Sequence, residues 1–439
     1  MSSFPVFSYV FLLLFVCLYL GIIPVYASIS VDDSPNTTIY DGNMVISSPG
    51  ILSKPGIYIV QADISLTNTT TALEIVSNDV IIEGAGHTLS GSGISDPVSY
   101  GIRVKKGGSR LQNISIRNLT TTGFETGIFL DDVIHGGIEG CTILHNLQTG
   151  IKIINGSDIS IIGTEISSTI PDFEKSGGTG IQISDSDSVT IRSDIILDNG
   201  RGDDGSGLSI IRSPGITIDE TTITGSAASG VITQGPNPGL IIQKNIISSN
   251  NVNGVTIGAG CIGPQISGNQ IRENYLTGIE ITSSNQGFIS GNTIEWSRIG
   301  VSLSESEEFS LTDNEIKGNT LNFDVTGSSP VQYTHFVDIS NRADGRSIWY
   351  LTNISHVTIG PSENPSCIYA VNCSGITISD IIFSKGGTGI FLINSEDVSI
   401  SRIAALNNAF GIRIGYGSRS ITVSESNAEK NLIAGFAVS

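Results

Sequence analysis

Basic residues are scarce in this chain of 439: Lys plus Arg number 22 against 41 Asp plus Glu, for a formal net charge of −19. A surface of that sign repels nucleic acid and anionic lipid, so neither is expected as a partner. Aromatic residues are only 6% of the chain, and no outward column of them is apparent to serve as a sugar platform. Two Met, two Trp and five scattered His (His87, His135, His145, His335, His356) leave little for a soft metal to hold. No Cys or His pair has metal-ligand spacing, so no metal site is read. No ten-residue window carries apolar residues at helical spacing, which excludes a helix-rich fold.

What is present is glycine, 52 residues of it, at regular places. A Gly followed by an aliphatic residue recurs at Gly101, Gly127, Gly150, Gly180, Gly207, Gly230, Gly254, Gly278 and Gly300, in steps of 22 to 30 residues, and again at Gly389 and Gly411. After each Gly, apolar residues fall at offsets 1 and 3, then 9 and 11, then 16, as in Ile151, Ile153, Ile159, Ile161 and Ile166 after Gly150. Spacing of two is the strand period, and a fixed period of this size means one unit stacked on itself. The expectation is an all-β, right-handed parallel β-helix of about 13–15 three-sided coils. A leucine-rich repeat has a similar period but needs Leu and a helical return, whereas Ile and Val dominate here.

Two Asn series run in phase with the Gly. Asn245, Asn269, Asn292 and Asn314 recur at offset 14 or 15, and Asn146, Asn199, Asn250, Asn274, Asn319, Asn408 and Asn431 at offset 19 or 20. Asn tolerates left-handed corners and its amide can bond the next coil, so these are read as structural ladders.

The chain divides into residues 1–27, a signal peptide or N-terminal anchor; 28–71, an N-terminal cap; 72–321, coils; 322–366, a projecting hairpin or insert; and 367–439, coils continued to an incomplete last one. Residues 5–26 are apolar and end at Val25-Tyr26-Ala27-Ser28, so membrane contact is expected only if they stay uncleaved. The body is expected to be secreted or held at the cell surface. Seven sequons, at Asn36, Asn68, Asn113, Asn118, Asn155, Asn353 and Asn372, allow glycosylation there. Cys141, Cys261, Cys367 and Cys373 are read as buried small hydrophobes. A strand through 367–373 would hold its end residues roughly 20 Å apart, too far for a disulfide.

The motif Gly-Ile-x-Ile…Ser-x-x-Val-x-Ile…Ile-x-x-Asn resembles the repeats of pectin-lyase-like carbohydrate-active proteins. Three segments resemble NosD-type β-helix proteins of archaeal surfaces: Asn78 to Leu89 (NDVIIEGAGHTL), Asp338 to Leu351 (DISNRADGRSIWYL) and Val371 to Ile378 (VNCSGITI). The NosD name implies copper delivery, but copper wants soft or imidazole ligands that this chain lacks. The carbohydrate-active relatives imply either a polysaccharide or envelope component as partner, or an enzyme working through grouped carboxylates with Ca²⁺. No catalytic residue is assigned, since the Gly-His-Gly and Asp-Pro-His signatures of that group are absent.

Two long corner inserts in adjacent coils, 170–179 and 198–206, carry the best local cluster of site-type residues: Asp172, Phe173, Glu174, Asp198, Arg201, Asp203 and Asp204. Ca²⁺ is the one cofactor this cluster could take. Trp349 and Tyr350, beside an Asp-Gly hairpin signal, are the other candidates, as glycan contacts on the projecting arm. The acidic groups Asp131-Asp132 and Glu305-Glu307-Glu308 are read as solvated turns. The reading favoured by the sequence is a non-catalytic glycan-binding, adhesion or envelope protein; the alternative is a polysaccharide lyase, hydrolase or epimerase.

Overall fold

The computed structural model describes residues 37–40, 43–66, 70–94, 98–105, 107–171, 177–201 and 205–438. Strands follow the offsets read above. The coil opened by Gly150 has strands Thr149–Ile154, Ser157–Ile162 and Glu165–Ser167. The next coil, Thr179–Ser184, Asp187–Arg192 and Ile195–Leu197, pairs with it in parallel. In that register Ile151 faces Ile181, Ile159 faces Val189 and Ile166 faces Ile196. All six are essentially fully buried. Branched side chains therefore stack into continuous interior columns on three parallel sheets, and the chain completes about 16 turns.

That is slightly more than the 13–15 anticipated, because the N-terminal segment already contributes a coil. Gly50–Leu52, Gly56–Val60 and Ile64–Ser65 each pair in parallel with the coil above. The covering element is smaller: Thr37–Tyr40 runs antiparallel to Asn43–Ile46, which lies on Gly56–Val60.

The leading Gly and the second Asn series are two halves of one contact. A Cβ on Gly254 would lie 2.7 Å from the carbonyl oxygen of Gly278 and 2.9 Å from Nδ2 of Asn274. The first series forms a buried chain of amides. Nδ2 of Asn245, Asn269, Asn292 and Asn314 each donates to Oδ1 of the next member at 3.0, 2.9, 2.9 and 2.7 Å, the last acceptor being Asn341. Each Oδ1 also accepts the preceding residue's backbone N–H, so every amide is satisfied on both sides.

The stack does not continue straight. The first rod ends with Leu321–Thr326, Phe336–Val337 and Arg342–Ala343. Asp344 and Gly345, with φ of 48° and 78°, then make the tight turn that the Asp-Gly pair signals. Arg346–Thr352 comes back antiparallel to Arg342–Ala343 and founds a second parallel stack with Cys367–Val371, Thr388–Ile393, Phe410–Gly415 and Ala434–Val438. Segment 322–366, expected as a projecting arm, thus does not project. It is an elbow, because each arm of its hairpin is bonded into a different rod.

The second rod lies with its first sheet across the open end of the first. Ile368, Ala370, Ile390 and Leu392 point into its own core, whereas Tyr350, Tyr369 and Phe391 belong to the core of the first rod. Cys367–Val371 and Thr388–Ile393 are consequently buried on both faces. The place above Leu321–Thr326 is taken by a turn: Asn322 N–H donates to Lys385 O at 2.7 Å and Gly387 N–H to Phe323 O at 2.9 Å. Cys141, Cys261, Cys367 and Cys373 are free and buried.

Candidate functional site

The two corner inserts meet as expected at their described ends. Gly177 and Arg201 exchange backbone hydrogen bonds of 3.1 and 2.8 Å. Asp198 is exposed at a left-handed corner with φ of 50°. Asp172, Phe173, Glu174, Asp203 and Asp204 lie outside the described residues, as do Asn36 and Asn68. The five other sequon residues, Asn113, Asn118, Asn155, Asn353 and Asn372, are all exposed and all have φ between 50° and 59°. A backbone need for left-handed Asn thus accounts for each of them without glycosylation. Asp131, read as a solvated turn residue, is instead buried and paired with Lys105.

Of the two aromatics assigned to the arm, Trp349 is half-buried against the second rod's core. Tyr350 is 8% exposed, and its hydroxyl donates to Tyr333 O at 2.6 Å. It stacks on Tyr369 with ring centroids 5.2 Å apart. Tyr369 in turn meets Phe323 and Phe391 edge to face at 5.7 and 6.1 Å. Tyr350, Tyr369 and Phe391 stand in register one above another. An aromatic column therefore does exist, contrary to the reading of the sequence. It was overlooked because it occupies the outward offset of its coils yet is covered by the first rod.

The elbow leaves a cleft of about 580 Å³ between the rods. Phe309, His335, Val337 and Tyr350 are its buried lining, Phe336, Ile339 and Leu351 form apolar walls, and Glu308 and Asp338 stand at its rim. Phe336 and Ile339 are 63% and 61% exposed, unusual for large apolar side chains unless something covers them. His335 is 4% exposed. The backbone N–H of Phe309 donates to its Nδ1 at 3.3 Å, so in the neutral ring the proton sits on Nε2. That Nε2 is closed off from solvent, and a hydrogen bond of the ring with the Gln332 backbone partly opposes the effect of burial. Burial lowers the His335 pKa to about 4, so the ring is uncharged at neutral pH. A backbone hydrogen bond from Ser340 is the main cause holding the Asp338 carboxyl below its ordinary value, so it is ionised. Glu308 accepts from Gln286 Nε2 at 2.9 Å. Sequence reasoning treated Glu308 as solvation and His335 as one of five scattered histidines; only the fold brings them to one cleft.

A family profile described as right handed beta helix region matches residues 78–237, 126–287, 168–321 and 237–439. The chain belongs to the right-handed β-helix family. No curated protein matches its sequence. Among solved structures, this β-helix is similar to the periplasmic alginate epimerase AlgG, at 14% identity and a TM-score of 0.40 over 91% of this chain and 78% of that one. It is also similar to the A-module of the Azotobacter vinelandii mannuronan C-5 epimerase AlgE4, at 12% identity and 0.38 over 84% and 89%. The Dettilon tailspike protein aligns at 12% identity and 0.33 over 88% and 61%. No helix among the described residues of the β-helix is long and apolar enough to cross a membrane.

Proposed function

We propose that this β-helix is an extracytoplasmic polysaccharide-binding protein whose binding cleft is the elbow between its two rods, and that it acts by binding and not by turnover. The observation that carries the reading is a cleft whose apolar walls Phe336 and Ile339 are 63% and 61% exposed beside the carboxylates Glu308 and Asp338. Sugars present alternating apolar faces and hydroxyl rims, which is what an aromatic wall beside acceptor carboxylates recognises. The likeness of three sequence segments to NosD-type surface proteins and the apolar residues 5–26 support the location outside the cytoplasm. A glycan array probed with the wild type and with Phe336→Ala tests the reading. Binding lost in the variant is the expected result; binding indifferent to Phe336 overturns the cleft, and no binding overturns the function.

The enzymatic alternative is favoured by one observation, the backbone pairing of Gly177 with Arg201 that draws the two acidic inserts together. In that reading Asp172, Glu174, Asp198, Asp203 and Asp204 form a Ca²⁺-assisted site beside Arg201 and Phe173. Uronan turnover abolished by EDTA or by combined Asp203→Ala and Asp204→Ala would establish it.

A further inference from the structure

Resting on the reading of the elbow as a glycan site, we infer that its ligand is an uncharged, ribbon-forming polysaccharide that runs out of the elbow along the outer face of the first rod. That face belongs to the strands Ile241–Gln243, Gln265–Ser267, Phe288–Ser290, Ser310–Thr312 and Phe336–Val337, stacked in parallel in this order. Their register sets Ile241, Gln265, Phe288, Ser310 and Phe336 in one outward column. Apolar and hydrogen-bonding side chains alternate along it. Phe288 and Phe336 are 53% and 63% exposed, Gln265 is exposed, and Ile241 and Ser310 are half-buried. Single exposed apolar residues are ordinary, whereas three at a fixed interval on one line make a surface with a repeat.

The interval selects the geometry of the ligand. Rungs stack about 4.8 Å apart, so the apolar side chains recur every ~9.6 Å and the polar ones fall midway. A pyranose ring linked through oxygens at its opposite ends advances a glycan by close to the same rung spacing. In a flat ribbon successive rings are turned over, so the same face returns at every second ring. An apolar contact for each disaccharide, with an amide or hydroxyl between, matches such a chain. A coiled glycan offers no face at that interval along a straight line. The adjoining column on the same side of the sheet, Gln243, Ser267, Ser290 and Thr312, adds further hydrogen-bonding groups. Charge narrows the choice. Neither column holds a Lys or Arg, and the neighbouring Lys244 pairs with Glu220 at 3.8 Å. Glu308 and Asp338 stand where the track enters the elbow, so a carboxylate-bearing ribbon would meet like charge there.

Calorimetric titration of the full chain tests this with cellohexaose, mannohexaose, cellobiose, the coiled isomer laminarihexaose and a mannuronate hexamer. Cellohexaose, mannohexaose or both should bind on the order of 10-fold tighter than each of the other three. Phe288→Ala, outside the elbow, and Phe336→Ala, within it, should each weaken that binding roughly 10-fold. Both rings are exposed, so neither variant threatens the fold. Ile195→Ala, at an exposed apolar residue on another sheet, should leave binding unchanged. Loss in Phe336→Ala with indifference to Phe288→Ala overturns the track and leaves the elbow as the glycan site. Loss confined to Phe288→Ala overturns the elbow's part, and indifference to both overturns track and elbow together. Equal or tighter binding of cellobiose or laminarihexaose overturns the ribbon geometry, and equal or tighter binding of the mannuronate overturns the requirement for an uncharged chain. Failure of every probe to bind overturns the inference outright.

Discussion

Nδ2 of Asn199 lies 2.9 Å from the point where Gly180 would carry a Cβ, and the carbonyl oxygen of Gly207 lies 2.6 Å from the same point. Both are distances that real Cβ atoms do not tolerate, so the amide corner of one coil and the bare backbone opening it are mutually required. The same relation holds between Gly230 and Asn250, with Nδ2 at 2.8 Å.

Gly254→Ala should therefore be costly although its φ is ordinary. The added methyl meets Gly278 O, Ile271 Cγ2 and Asn274 Nδ2, so strands or amide must shift, at about 1–3 kcal/mol or more. Gly107→Ala, with nothing within 4 Å, should change stability little. Paired denaturant titrations of the two variants check this.

Removing one rung of the amide chain should cost on the order of 3 kcal/mol, because several buried groups lose partners together. Asn269 accepts from the backbone and side chain of Asn245 and donates to Ile242 O and Asn292 Oδ1. Asn269→Ala orphans all of these, and its denaturation midpoint should fall well below that of an exposed control with ordinary backbone angles such as Asn251→Ala.

Asp194 stands where the ladder elsewhere has Asn or Thr, buried and accepting from Thr164 N–H at 2.6 Å and Arg192 N–H at 3.0 Å. Burial raises its pKa from 3.8 to about 7. Between those values the folded protein keeps a proton that the unfolded chain has released. Its contribution to stability therefore declines as pH rises from about 4 to about 7 and is level beyond. Asp194→Asn should abolish that decline, although its amide keeps an acceptor for Thr164 N–H only and loses the one for Arg192 N–H. Unfolding curves of both proteins from pH 4 to 8 decide it; parallel pH profiles would show that Asp194 is not the source.

The joint between the rods should be separable from the rods themselves. Tyr369→Ala removes the ring that touches Tyr350, Phe323 and Phe391 and should cost roughly 3–5 kcal/mol at the elbow. The first rod's coils should persist. Limited proteolysis is expected to cut near residues 327–334, and hydrogen exchange to rise at 321–326 while 151–197 stays protected.

Most of the fold was legible in the sequence because a stacked coil repeats the same local demands. Ile159 and Ile161 had to face inward once the two-residue period was seen, and Asn245 to Asn314 could only be a ladder at that spacing. The elbow was not legible, since it depends on one coil declining to stack on its predecessor. A signal was nonetheless present. The outward offset that carries Lys152, Gln182, Thr256 and Glu280 carries Tyr350, Tyr369 and Phe391 in three successive coils. An exposed face does not put large rings there repeatedly, so that face had to be covered. The cleft itself was beyond reach because stacking alone sets Glu308 beside His335, and only the bend adds Tyr350 and Leu351 as the facing wall.

Sealing one stack with the flank of another has a cost in time. Phe323 stays uncovered until Tyr369 has been made, 32 residues after Val337 closes its strand. At ordinary synthesis speeds that is an interval of about 2–6 s. During it the nascent chain carries an open β edge with an unsealed apolar core, the state most exposed to wrong pairing.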